Sequence, residues 1–200
     1  MIQLQVAKEI LKHRYIAQKM DSMELQQKRE KWLDKLNLLN WNGNFRVLEM
    51  YQTPYGVFKG RPEKYQFFNK NHNTRTKILS ETCCEVDKLP IKKSIPFMCE
   101  IMSSLIRNKI HFAVFYAQGQ RSPHIRIYDF EELNDLNPMQ RIKAQILFWR
   151  EHVPFGCFQY VDTGMFVDEH PMQIEFSIHY RHKTPFNLMF EYPFEEVKNE

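Results

Sequence analysis

No stretch of this chain is apolar for long enough to span a bilayer or to act as a secretory leader. The first residues, MIQLQVAKEILKHR, carry a charge every few positions, and nothing downstream approaches a membrane span. An intracellular, cytoplasmic protein with no membrane partner is expected. The four cysteines, Cys83, Cys84, Cys99 and Cys157, contain no CxxC pair, and Cys83 and Cys84 on one strand would point to opposite faces. Free, mostly buried thiols are expected, not a structural zinc site. A strong global charge is missing too: eight Lys/Arg against five Asp/Glu in residues 1 to 40 supply +3 of the net +4, leaving 20 against 19 in the rest. Contact with nucleic acid would therefore need a local basic patch. No repeat, low-complexity tract or Gly/Ser linker divides the 200 residues, and the lack of a GxSxG elbow argues against serine-hydrolase chemistry.

What is present is a chain 43% hydrophobic and 14% aromatic, enough for one core. Leu4, Ala7, Leu11 and Tyr15, then Leu25, Trp32, Leu33, Leu36 and Leu39, recur at helical spacing and predict helices over 3–20 and 22–39. They form a basic amphipathic extension, 1–40, that packs on the main unit or serves as a docking arm. The main unit, 41–200, opens with FRVLEMYQ and YGVFKG, a predicted hairpin broken at Pro54 and Gly56. Strand KILSETCCEVD, helix IPFMCEIMSSLIRNK, strand IHFAVFYA, strand SPHIRIYDF, helix PMQRIKAQILFWREH and strand CFQYVD follow. Ser94 is the expected cap of the first helix, with Pro96 in its first turn, and Asn137 and Pro138 repeat the device in the second. This order predicts an α+β, or mixed α/β, fold with helices on one face of the sheet, like an RNA-recognition-motif-type unit. MQIEFSIHYRHKTPFNLMFEY adds two strands joined by a basic loop.

The polar residues worth attention lie at strand ends. Glu85 and Asp87, two apart, would share a face where CCEVD ends; they suit a hard divalent cation or a solvated strand terminus. Asp162 would bring a third carboxylate if CFQYVD neighbours CCEVD, and is otherwise a turn or cap residue. In GQRSPHIRIY, Arg121, Ser122 and His124 stand at a hairpin entrance, where they could cradle a triphosphate or simply cap the turn. SIHYRHKT, with His179, Arg181, Lys183 and, upstream, His170, offers a second phosphate-binding set or a solvated basic loop.

Taken in order, CEVD, RSPH, YVD and QIEFSIHYRHKT resemble the motifs of the archaeo-eukaryotic primase superfamily: hydrophobic-DxD or DxE, SxH, hydrophobic-D, and a later RLPxSLHxKTG-like stretch. The resemblance covers about residues 76–190 and aligns Ser177 and His179 with the S-L-H, and Lys183 and Thr184 with the K-T. It implies the family's two-layer core, an RNA-recognition-motif-like half joined to a second α/β half. It also implies a DNA-dependent nucleotidyltransferase, a primase or primase-polymerase making or extending a primer on single-stranded DNA. Glu85, Asp87 and Asp162 would bind two Mg²⁺ or Mn²⁺ ions and form the catalytic set. Arg121, Ser122, His124, His179 and Lys183 would hold the incoming NTP or dNTP. A primase large subunit or a helicase would be the partner of the N-terminal helices. Glu85 stands where Asp is commoner in the family, and Gln173 where a basic residue is expected, with Glu175 close by. Other readings of the same residues are a non-catalytic nucleotide- or nucleic-acid-binding subunit and a metal-dependent nuclease.

Overall fold

The computed structural model describes residue 77 and residues 80–192, apart from 169, 171, 174, 177, 178 and 180. Before them it describes the backbone of four short strands between 50 and 75, and residues 27, 28 and 31. The helices expected over 3–20 and 22–39 otherwise lie outside the described residues, and 27, 28 and 31 are helical.

The predicted hairpin is present. Strand β1 (Met50–Thr53) pairs antiparallel with β2 (Gly56–Lys59), Thr53 opposite Gly56, and β3 (Phe67–Phe68) adds to β2. A separate two-stranded ladder joins β4 (Thr74–Arg75) to β8 (Met172–Gln173). The main sheet has four strands: β5 (Thr82–Cys84), β6 (Ala113–Ala117), β7 (His124–Ile127) and β9 (Phe186–Glu191), in the order β5-β7-β6-β9, every neighbouring pair antiparallel. Helix α1 (Ile91–Arg107) connects β5 to β6, and β7 sits between these two strands, a split β-α-β arrangement; helix α2 (Pro138–His152) follows β7. The class is α+β.

Both faces of this sheet are covered, so β6 and β7 are buried along their whole length instead of alternating. Cross-strand register puts Cys84, Ile125, Val114 and Ile127 on one face. They share a core with Met98, Ile101, Met102 and Leu105 of α1 and with Trp149 of α2, whose indole N–H donates to Thr82 Oγ1 at 2.7 Å. The other face carries Arg126, His124, Phe115 and, from β9, Phe186, with Phe176 packed on Phe115.

The two helices begin differently. Asn137 and Gln140 form a reciprocal capping box with Pro138 in the first turn of α2, as its sequence predicts. Ser94 does not cap α1. That helix begins a turn earlier, at Ile91 after Pro90, whose carbonyl accepts from the amides of Lys93 and Ser94. The buried Ser94 hydroxyl is directed instead to the carbonyls of Ile91 and Arg121, and Pro96 lies inside the helix, where it removes only one amide on the exposed side.

The predicted strand CFQYVD is also corrected. Residues Phe158–Tyr160 form a 3₁₀ turn, Thr163–Phe166 a second one, and Asp162 caps the latter by accepting from Gly164 N at 2.9 Å. Coiling wins because the turn at Pro154–Cys157 and the Asp162 cap satisfy the backbone locally. The segment still reaches the outer edge of β5 through one bond, Asp162 N to Glu85 O at 2.9 Å. The tail supplies its two expected strands, β8 paired with β4 and β9 with β6.

Candidate functional site

The edge of the sheet where β5 ends and β7 begins gathers residues from four stretches of sequence. Glu85 follows β5 directly, on the face of Arg126 and His124, while Val86 points into the helix-side core. The Val86 amide donates to Ser122 Oγ at 2.9 Å, and Ser122 is fully buried. This bond fastens the acidic loop to the hairpin that starts β7, which gives the serine a defined positioning role. Asp162 reaches the same loop through its backbone bond to Glu85 O, and its charge acts on Asp87, although no strand forms there.

The electrostatics follow from that crowding. Asp87 is exposed as a residue, yet the protein around its carboxyl, a hydrogen bond with Glu85 and the charges of Glu85 and Asp162 raise its pKa to about 6. Burial alone would raise Glu85 as well; His124, the bond with Asp87 and His170 together bring it below the usual carboxylate range. Glu85 Oε2 lies 3.2 Å from His124 Nε2, with side chains 14% and 8% exposed. Desolvation opposes charge on His124, but Glu85 and Cys83 together prevail and raise the imidazole to about 10. The side-chain amide nitrogen of Gln120 is 3.4 Å from the same Nε2. Because Nε2 donates to the carboxylate, this second contact is packing. Nδ1 of His124 is buried without a hydrogen-bond partner among the described residues.

The basic loop lies against this hairpin. Thr184 Oγ1 donates to Gln118 O at 2.9 Å, and His182 stacks obliquely on His179 with ring centres 4.7 Å apart. His179 Nδ1 accepts from the amides of Arg181 and His182, at 3.2 and 3.3 Å. Burial, then the positive neighbours His182, His124 and Arg181, lower its pKa to about 4, with Glu85 opposing. His179 is thus a neutral imidazole in the field of the Glu85–His124 pair. Arg121 and Lys183 are exposed; Arg121 contributes its carbonyl to Ser94, and Lys183 sits in the left-handed region at φ 55°. Ser177 lies outside the described residues, as do the side chains of 45–68, including Lys59, Arg61 and Lys64, which the sequence offers to a template.

Two features take places that the sequence did not give them. His170, read from sequence only as a neighbour of the basic loop, is held below the ordinary imidazole range by burial, against the attraction of Asp162 and Glu85, so it belongs with the acidic residues. Glu175 and Gln173, which stand where the resemblance expects positive charge, serve Arg126: Glu175 pairs with its guanidinium and accepts from Tyr128 Oη at 2.9 Å, and the Gln173 carbonyl accepts from Nη2 at 2.7 Å. The negative charge at Glu175 is therefore neutralised beneath the sheet.

For a divalent cation, the donor chemistry is right in part. Carboxylate oxygens are the ligands such ions prefer. Among the described residues, however, no group of three or more His, Cys, Asp or Glu is arranged to hold a metal ion. The geometry explains this: the Glu85 carboxylate is turned to His124. The thiols are free, with Cys83, Cys84 and Cys99 buried and Cys157 half-buried, and no described helix is long and apolar enough to cross a membrane. Comparison with protein-family models, with curated proteins and with solved structures gives no match.

Proposed function

We propose that this protein is a nucleotidyltransferase of the primase or primase-polymerase type, which adds NTP or dNTP to a primer on single-stranded DNA. What carries the reading is the meeting of Glu85, Asp87, Asp162, His124 and His179, from distant parts of the chain, at one edge of an α+β sheet. These are the positions at which the family's motifs fall. In this reading His124, held by Glu85, sets positive charge behind the phosphates. Arg121 and Lys183 are exposed cations at the hairpin and the basic loop, suited to the outer phosphates. Ser122 keeps the acidic loop in register through Val86. Mg²⁺ or Mn²⁺ at the carboxylates would activate the primer hydroxyl and stabilise the leaving pyrophosphate.

The test is incorporation of labelled nucleotide on a single-stranded template, with and without primer, in Mg²⁺ and in Mn²⁺. Template-dependent product is expected, reduced to background in Asp87→Asn and Asp162→Asn. Robust synthesis by either variant sinks the assignment. The engagement of Glu85 by His124 favours one other reading, a nucleotide-binding subunit without chemistry, which in the same assay binds nucleotide and yields no product under any condition.

A further inference from the structure

We infer that the cavity at the end of the sheet opposite the strand-end acids is a second binding site, which takes an organic cation with an apolar body. It lies where β6 begins and β7 ends, and it encloses about 730 Å³ between that end of the sheet and helix α2. Pockets that hold small molecules are of this size. No residue of the strand-end site lines it, so it stands apart from the nucleotidyltransferase reading.

Its wall is aromatic and apolar. Phe130 and Phe148 pack with ring centres 4.9 Å apart, and His152 continues the row at 4.6 Å from Phe148. Leu147, at the same cavity, is 61% exposed, a large apolar side chain left in water. The polar groups decide the charge of the guest. Asp129, Glu132 and Glu151 line the cavity against one ammonium, that of Lys109. Carboxylates and aromatic rings both attract a cation, and the same carboxylates repel phosphate. His111, whose Nδ1 lies 3.3 Å from Asp129 Oδ2, orients that carboxylate.

His152 is the second sign of a ligand. It is 7% exposed, and its Nδ1 is 3.0 Å from Ser104 Oγ. Its Nε2 has no hydrogen-bond partner among the described residues, and the ring lines both this cavity and a smaller one of about 430 Å³. Burial holds the imidazole below its ordinary range, with Glu151 opposing, so the ring is neutral and does not compete with a cation. In the tautomer that donates Nδ1–H to Ser104, Nε2 accepts from a ligand N–H.

The probes share an apolar body and differ in charge: phenethylamine, phenethyl alcohol and hydrocinnamate, added at pH 8 to the full chain. Binding is followed by calorimetry and by the histidine resonances in NMR, assigned with His152→Asn and His124→Gln. The amine is expected to bind at least about tenfold more tightly than the alcohol, with hydrocinnamate weaker still. It should move the His152 resonance and leave that of His124 in place. Asp129→Asn and Glu151→Gln should each weaken the amine about threefold and leave the alcohol unchanged. Lys109→Gly removes the opposing charge at a residue with φ 56°, a conformation that suits glycine, and should tighten the amine about threefold. That variant carries the charge test if a carboxylate variant does not fold. Acetyl-lysine amide separates the two sources of such a cation: affinity equal to that of phenethylamine assigns the site to a protein side chain, weaker affinity to a free amine, and either supports the class. Equal binding of amine and alcohol, a His152 resonance that stays in place, or weaker amine binding in Lys109→Gly overturns the inference.

Discussion

A carbon added at Gly119 would lie 2.7 Å from Nδ1 of His182, at a residue whose φ is +95°. Both facts favour glycine: the turn needs a left-handed residue, and the basic loop needs close approach to the hairpin. Gly119→Ala is expected to lower stability by about 1–3 kcal/mol in urea unfolding, and to loosen the contact of loop 179–184 with the hairpin. Titration gives a second residue-scale expectation, with two groups of opposite sign. His179 is lowered from 6.5 to about 4, so the fold favours its neutral form; that stability is complete above pH 6.5 and is lost as pH falls through about 4. Asp87 is raised from 3.8 to about 6, so the fold favours its protonated form; that contribution is complete below pH 3.8 and is lost as pH rises through about 6. Denaturant melts between pH 4 and pH 8 should therefore show Asp87→Asn more stable than the native chain above pH 6, and His179→Gln with a shallower loss below it. At this scale the sequence pointed to His124, His179 and the three acids by motif order alone. It gave no sign that Glu85 and His124 pair, since they are 39 positions apart and meet only through the register of β5 on β7.

At the scale of elements, the signals that worked were those satisfied within a few residues. Asn137, Pro138 and Gln140 close the start of α2 among themselves, and the predicted helix has the observed limits. Asn137→Ala is expected to cost about 1 kcal/mol, measured as a shift of the urea midpoint. The signals that failed were those whose partners lie elsewhere. Ser94 has the chemistry of a cap, but Arg121 of a distant hairpin takes its hydroxyl. CFQYVD has the composition of a strand, but it receives a single backbone bond from the β5 edge, so local turns prevail. Ser122 shows the same dependence: its removal in Ser122→Ala leaves the buried Val86 amide without an acceptor. That should cost about 1–3 kcal/mol and weaken the site more than Asn137→Ala does, because the acidic loop then loses its anchor.

For the whole molecule, the central device is a sheet covered on both sides. The helix side is apolar, as periodicity leads one to expect. The opposite side encloses Arg126, fully buried, against the stacked rings of Phe186 at 5.0 Å and Phe115 at 5.5 Å, with Glu175 and Tyr128 completing the network and Glu81 4.0 Å away. Breaking such a pair strands a charge, so Glu175→Gln is expected to destabilise by about 3 kcal/mol in urea unfolding. Lys77 is a second internal tie: its ammonium donates to Gln145 Oε1 at 2.7 Å and to Met165 O at 2.8 Å, joining α2 to the turn after Asp162. Burial lowers it to about 8, against the pull of Glu81 and Asp168.

The sequence by itself determined the two helices of the main unit, the order strand–helix–strand–strand–helix, the β1–β2 hairpin, and the order in which acids and histidines occur. These depend on periodicity, capping and turn chemistry, which act over a few residues. Only the tertiary structure decided that Asp162 arrives beside Glu85 without a strand, that Glu175 neutralises Arg126 under the sheet, and that the basic loop seats on Gly119. It also decided that Glu85 faces His124. Each of these is a contact between segments far apart in the chain, set by cross-strand register and by the cost of burying a charge or an amide without a partner.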